Sequence, residues 1–323
     1  MRNSHFARVT YCVPMTLPTT LTKGHATAND FVIYADPTGA YDPTPEEVAA
    51  ICDRHRGIGG DGLIRLTRPE YVADLSVIVK NMLRGEGAEW FMDYRNADGS
   101  LAEMCGNGTR LTALFAQSLG ELSTEIGTKF ALATRAGVKT LVYRGNDDEL
   151  GRNVFTVHMG AWKAGEIGEY DVLIPTAEGS AKGTFADLGN PHVVSVVADR
   201  THQFAAALPA SSLPDVDDLD LTRTPVVSPA LPAGQNAEFV RIDTADASAN
   251  AGTATMRVNE RGVGETLSCG TGLCATAIVL RKITGIANWT ITVRGGVLRV
   301  EVSDDDVALT GSSTLVGTVT LTK

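Results

Sequence analysis

Apolar and polar positions along the chain fall into two cycles of the same kind. In the first, Phe31 to Ala35 is an apolar run of strand length. TPEEVAAICDRH follows with helical periodicity. Thr44 is placed as N-cap, Pro45 at N1 and Glu47 at N3, which closes a capping box. GIGGDGLIRL is a glycine turn leading into a strand. AEWFMDYRN alternates as a strand does and ends at the turn ADGS. After Cys105-Gly-Asn-Gly a helix opens, with Leu111, Leu114, Phe115 and Leu119 on one face, and Gly120 stops it. FALATRAGVKTLVYR reads as a hairpin turning at Ala136-Gly137.

The second cycle begins at NVFTVHMGAW. Strands follow at YDVLIP, GTFADLGNPHVVSVV, NAEFVRID and ATMRVNERG, with a partly looped stretch from Ser211 to Gly234 that is rich in Asp, Pro and Ser. Cys269-Gly-Thr-Gly then opens a helix from Thr271 to about Thr284, ended by Gly285. That helix is apolar on nearly all sides, so it must be buried. NWTITVRGGVLRVEVSDDDVALTG closes the chain's pattern as a hairpin turning at Gly295-Gly296. Each half therefore reads as strands, a glycine loop with a cysteine, a central helix, then more strands, which suggests a duplicated α/β unit.

A length of 323 residues allows two ordinary domains. The formal net charge of −10 argues against nucleic acid or an anionic membrane surface as partner. No apolar run is long enough to span a bilayer, and the N-terminus lacks the apolar core of a signal peptide, so the expected location is cytoplasmic. The first 20 residues lack periodicity and read as a loose extension, with Met15 an alternative start. Five cysteines are an odd number and few for this length, which fits reduced thiols. No Cys-x2-Cys pair occurs, and no metal site is expected.

The two cysteine loops carry the candidate chemistry. A free thiol near pKa 8.5 is only about 3% thiolate at pH 7. A helix start supplies unpaired N–H groups and positive potential, which are expected to lower that value. Gly106 and Gly108, like Gly270 and Gly272, allow a substrate oxygen to come close to the backbone. A cysteine before a helix is commonly just a small buried apolar residue, and Cys52 and Cys274 read that way. Cys12 has no such setting. Two thiols facing each other across a cleft suit one reaction well: one removes a proton from one face of a stereocentre and the other returns a proton to the opposite face. Loop amides would hold the substrate carboxylate and the charge that develops. A thiol-redox protein and a non-catalytic amino-acid binder are the competing classes.

RNADGSLAEMCGNGTR and NERGVGETLSCGTG closely resemble the two signature segments of the diaminopimelate epimerase family. KGHATANDFV, HRGIGGDGL and GNPHVV resemble three further blocks in the same order. The resemblance runs from Lys23 to the C-terminus. It implies two similar domains, each a curved, mostly antiparallel sheet wrapped around a central helix: 1–152 with 312–323 returning as its last strand, and 153–311. It implies a pyridoxal-independent epimerase with no cofactor, acting on LL- and meso-diaminopimelate, and a homodimer. Cys105 and Cys269 match the catalytic thiols, and His192 and Glu260 match residues that assist them. Asn29, Asn96, Asn107, Asn190, Asn236, Glu260 and Arg261 match substrate contacts. Gly106, Asn107, Gly270 and Thr271 lie where loop amides hold the reacting carboxylate.

On pattern alone, Asn29 and Asn96 are also turn residues, His192 an ordinary buried histidine, and Glu260 with Arg261 a solvated pair at a strand end. Proline and hydroxyproline racemases, which also use paired cysteines, are the nearest rival. Three departures stand out. Ala26 and Ala28 replace glycines frequent in the family, the segment from Arg68 to Asp93 is long, and Thr201 to Gly234 looks extended.

Overall fold

The computed structural model describes residues 16–322. The extension before Thr16, with Cys12 and the alternative start at Met15, lies outside the described residues. The first cycle runs β1 (Thr20–Ala26), β2 (Asn29–Asp36), α1 (Pro45–Cys52), β3 (Gly62–Thr67), α2 (Val77–Gly85), β4 (Trp90–Asn96), α3 (Gly106–Ser118), β5 (Lys129–Thr134), β6 (Gly137–Asp147) and β7 (Gly151–His158). Two short strands follow, β8 (Lys163–Ala164) and β9 (Tyr170–Leu173). The second cycle is β10 (Ala181–Asp187), β11 (Pro191–Asp199), β12 (Val226–Ser228), β13 (Asn236–Asp246), β14 (Ala251–Glu260), β15 (Gly264–Thr266), α4 (Gly270–Thr284), β16 (Asn288–Val293), β17 (Gly296–Val302) and β18 (Val307–Ser312). The last strand is β19 (Thr314–Thr320).

The duplication seen in the sequence is exact at the level of strand pairing direction. Along the first cycle, β1–β2 is antiparallel, β2–β3 parallel, β3–β4 antiparallel, β4–β5 parallel, and β5–β6 and β6–β7 antiparallel. The second cycle repeats these relations in order through β10–β11, β11–β13, β13–β14, β14–β16, β16–β17 and β17–β18. β18 pairs with β7 and so joins the halves, while β19 runs antiparallel to β1. The class is α+β, with two pseudo-symmetric halves, mostly antiparallel, each curved around a helix.

The inner helices are α3 and α4. Their burial matches their composition: α3 is buried from Gly106 to Ala116, and α4 from Gly272 to Leu280. Leu111 and Phe115 pack in one core with Phe31, Ile33 and Ile64, and Leu273, Ala277 and Leu280 in the same core with Val240, Met256 and Trp289. Each such side chain contributes about 1.5–3 kcal/mol by leaving water. The predicted capping box of α1 is present, as is the left-handed Gly285 that ends α4; the β5–β6 hairpin forms too, but turns one residue earlier than expected, at Arg135-Ala136, with Gly137 paired to Thr134.

Four details differ from expectation. Thr20 opens strand β1, which has little alternation of its own and is held by β2 on one side and β19 on the other. α1 stops at Cys52, because the Asp53 carboxylate accepts from the amides of His55 and Arg56 and turns the chain. Leu119 lies beyond the last turn of α3 as its C-cap and is exposed. The long segment before β4 forms α2, capped by Ser76, which buries only Leu83 and leaves Val77, Ile78 and Met82 exposed.

The β1–β2 hairpin turns on Thr27 and Ala28, with φ of 51° and 63°. Both lie in the left-handed region, which costs a residue bearing a β-carbon roughly 1–2 kcal/mol. Ala28→Gly should therefore raise unfolding free energy by about 1 kcal/mol, read from urea unfolding curves. The turn leads directly into Asn29, so this strain sits beside the candidate site.

Candidate active site

Cys105 and Cys269 occupy the same place in the two cycles. Each is the N-cap of its inner helix, in extended backbone geometry. Glycine follows each, and at these glycines the two helix starts come into contact. A β-carbon built on Gly270 would lie 3.4 Å from the Gly106 α-carbon and 3.5 Å from the Asn107 nitrogen. Two thiols separated by half the chain are thus brought to one junction. Cys52, Cys105, Cys269 and Cys274 are all free thiols; Cys52, Cys269 and Cys274 are buried and Cys105 is partly exposed.

The expected lowering of the thiol pKa values does not occur. Burial pushes Cys105 up to about 11, against the opposing hydrogen bond its sulfur accepts from the Gly108 amide at 3.4 Å. Cys269 is raised as well, first by burial and then by the nearby Glu260 and Glu238 carboxylates. The helix start does favour the thiolate, as local reasoning says, but loss of solvent outweighs it. Glu260 is itself raised by burial, and its carboxylate accepts from the Thr266 hydroxyl.

A polar network ties the first thiol loop to the second. Asn29 Oδ1 accepts from Asn107 Nδ2 at 3.1 Å and from the Cys105 thiol at 3.5 Å. Asn107 Nδ2 also reaches the Ser268 carbonyl at 3.3 Å, one residue before Cys269. The orientation of that amide is set by Arg110, a fully buried guanidinium that donates to Asn107 Oδ1 at 2.7 Å and to Thr27 Oγ1 at 3.1 Å. Arginine has no acceptor, so only the amide oxygen can face it. Burial draws the Arg110 pKa down to about 10.

On the second loop, Thr271 Oγ1 lies 3.5 Å from both the Cys269 sulfur and Asn190 Nδ2. His192 and Glu238 are fully buried and share a hydrogen bond of 2.7 Å between Nδ1 and Oε1. Asn236 donates to the Pro191 carbonyl at 3.1 Å and accepts from the Arg261 amide at 3.0 Å. The Arg261 guanidinium is exposed and donates to the Ala233 carbonyl. Asn96 touches neither thiol loop; its side chain donates to Ser100 at 3.0 Å. It ends β4 as Glu260 ends β14, and Asn29 opens β2 as Asn190 precedes β11.

Sequence reasoning missed Arg110, Ser268, Thr266 and Glu238. Arg110 carried a signal, since it stands one position before the apolar face of α3 begins, where a charge is buried unless it points outward. Glu238 carried a weaker one, as an acid between the apolar neighbours Ala237 and Phe239.

The family model described as diaminopimelate epimerase matches residues 21–163 and 184–316. A diaminopimelate epimerase of Rhodococcus jostii is 39% identical over 304 residues, which cover 93% of this chain and 96% of that protein. One of Streptomyces coelicolor is also 39% identical, covering 91% and 92%. Among solved structures, a Bacillus anthracis phenazine biosynthesis protein of the PhzF family has a TM-score of 0.59 at 13% identity, covering 94% of this chain and 99% of that one. A hydroxyproline epimerase of Agrobacterium vitis has a TM-score of 0.56 at 14% identity, covering 93% and 89%. At such identities these two show the shared fold alone. With the family model spanning most of its length and both cysteine loops inside the matched residues, the chain belongs to the diaminopimelate epimerase family.

Proposed function

We propose that this chain interconverts LL- and meso-diaminopimelate by a two-base exchange of the α-proton, with Cys105 and Cys269 as the two acid–base groups and no cofactor. The observation that carries the reading is the meeting of two cysteine N-caps at the Gly106–Gly270 contact. One sulfur takes the α-proton as thiolate, the other returns a proton as thiol, and the roles exchange with direction. Amides of Gly106, Asn107, Gly270 and Thr271 hold the reacting carboxylate at the helix starts, where partial positive charge also steadies the carbanion. His192 and Glu260 assist the thiols. Asn29, Asn96, Asn190, Asn236 and Arg261 belong to the substrate pocket.

The family resemblance puts the domain division at 1–152 with the returning strand 312–323, and 153–311; β7, which pairs with both β6 and β18, lies across that boundary. The family assignment extends the reading to a homodimer in the cytoplasm, in lysine and peptidoglycan-precursor biosynthesis. Among the described residues no helix is long and apolar enough to cross a membrane.

The test is an NMR assay of reduced protein with LL-diaminopimelate in D2O and no added cofactor. Loss of the α-proton signal together with meso product is the expected result. No exchange with verified free thiols overturns the proposal, and exchange with proline or hydroxyproline instead moves the substrate to the neighbouring racemases.

A further inference from the structure

The two cycles can be compared position by position, and at one pair of sites they differ in kind. In the parallel pair β2–β3, Phe31 is registered with Gly62 and Ile33 with Ile64. In its counterpart β11–β13, His192 is registered with Asn236 and Val194 with Glu238. His192 thus stands where Phe31 stands, and Glu238 where Ile64 stands. The helix glycines corroborate the match. A β-carbon on Gly108 would meet Ile64 Cδ1 at 3.3 Å, and one on Gly272 would meet Glu238 Oε1 at 2.7 Å. In the first half both positions are apolar and fully buried, so the fold itself asks for nothing polar there. In the second half they hold an imidazole and a carboxylate, each without exposure.

A carboxylate on a core face is costly unless it is paired. Here one oxygen meets His192 Nδ1, and the absence of a side chain at Gly272 lets the group rest against the first turn of α4, where the positive helix end favours it. His192 Nε2 is buried and has no hydrogen-bond partner among the described residues. Two nitrogens of one ring therefore face opposite surroundings, a carboxylate on one side and an unpartnered interior on the other, and the pair lies beside the second thiol loop, since a β-carbon on Gly272 would meet Glu238 Oε1 at 2.7 Å and Cys269 Sγ at 3.4 Å.

We propose that Glu238 is a positioning residue that keeps the proton of His192 on Nδ1 and so leaves Nε2 as the proton acceptor of the site. A carboxylate accepts only, so it requires the Nδ1–H tautomer. A cysteine thiol then passes its proton to Nε2, giving a thiolate and an imidazolium whose Nδ1–H stays bonded to Glu238. No proton enters or leaves the protein, and no co-reactant is needed. This inference rests on the two-thiol reading above.

The test uses the full-length reduced protein with 15N-labelled histidine, His192→Asn serving to assign the His192 signals. The expected wild-type spectrum has Nδ1 protonated and Nε2 bare. Glu238→Gln can donate as well as accept, so it should populate the other tautomer and lower kcat about 10–100-fold, with KM changed less than about twofold. Glu238→Asp, which keeps the carboxylate, should hold the tautomer and recover part of kcat. A proton on Nε2 in the wild-type protein overturns the inference, as does a Glu238→Gln variant with unchanged tautomer and kcat. If Glu238→Gln does not fold, the wild-type tautomer and the Asp variant decide. Absence of α-proton exchange by the wild-type protein would instead overturn the proposed reaction, and the tautomer would still be read independently.

Discussion

Replacing Cys105 or Cys269 by alanine, one at a time, is expected to lower epimerisation about 10³-fold, within the range that a positioned acid or base supplies. The two losses should be alike in size, because inversion needs a proton removed on one side and delivered on the other. They should differ in what survives. Each variant keeps one thiol, so slow α-deuterium incorporation should persist with only one stereoisomer, and with opposite isomers in the two variants. Incubating each variant with LL- and with meso-diaminopimelate in D2O reads this directly. Near-wild-type turnover in either variant would remove the two-base mechanism. The site tolerates the change sterically, since alanine only deletes a sulfur at an N-cap of ordinary extended geometry.

Stability should fall steeply above about pH 9. Burial raises Cys52 and Cys105 to about 11 and Cys274 to about 12. An unfolded chain releases these protons near pH 8.5, whereas the folded protein keeps them. Above that pH the native state binds more protons than the unfolded state, so the stability present below it is lost as pH rises towards the folded values. Each thiol contributes up to about 1.4 kcal/mol per pH unit in that window, and the three together about 4. A domain has only about 5–15 kcal/mol to lose. Urea unfolding at pH 8 to 10.5 measures the slope, and Cys52→Ala and Cys274→Ala should each make it shallower. A flat profile would mean that these thiols are solvated in the native state.

The parts of the fold that sequence displays are those set by local chemistry. The capping box at Thr44, the hairpin at Gly137 and the helix starts after both cysteines follow from residues a few positions apart. β1 was not visible because Thr20–Ala26 becomes a strand through its two neighbours, one of them from the far end of the chain. Among the site residues, Cys105 and Cys269 were legible from their setting. Asn29, His192 and Glu260 were lifted above ordinary turn or core roles only by family resemblance. Glu238 was hidden because its meaning depends on register: an acid in NAEFVRID becomes His192's partner only once β13 is laid parallel to β11. The thiol pKa values were misjudged for the same reason, since a helix start is local and burial is not.

The repeated strand pairing places the two thiol loops at equivalent positions of two pseudo-symmetric halves, which meet where Gly270 approaches Gly106. A tetrahedral carbon and its mirror image differ, in such a setting, only in which loop meets the hydrogen. The duplicated parts are therefore blind to handedness, as a catalyst that must accept both hands has to be. What sets one loop apart from the other is left to the positions where the copies have diverged: Asn96 against Glu260, Phe31 against His192, Ile64 against Glu238. Divergence between the two halves thus marks out the groups that make the two thiols chemically unlike, while the portions still alike mark where the two thiols meet.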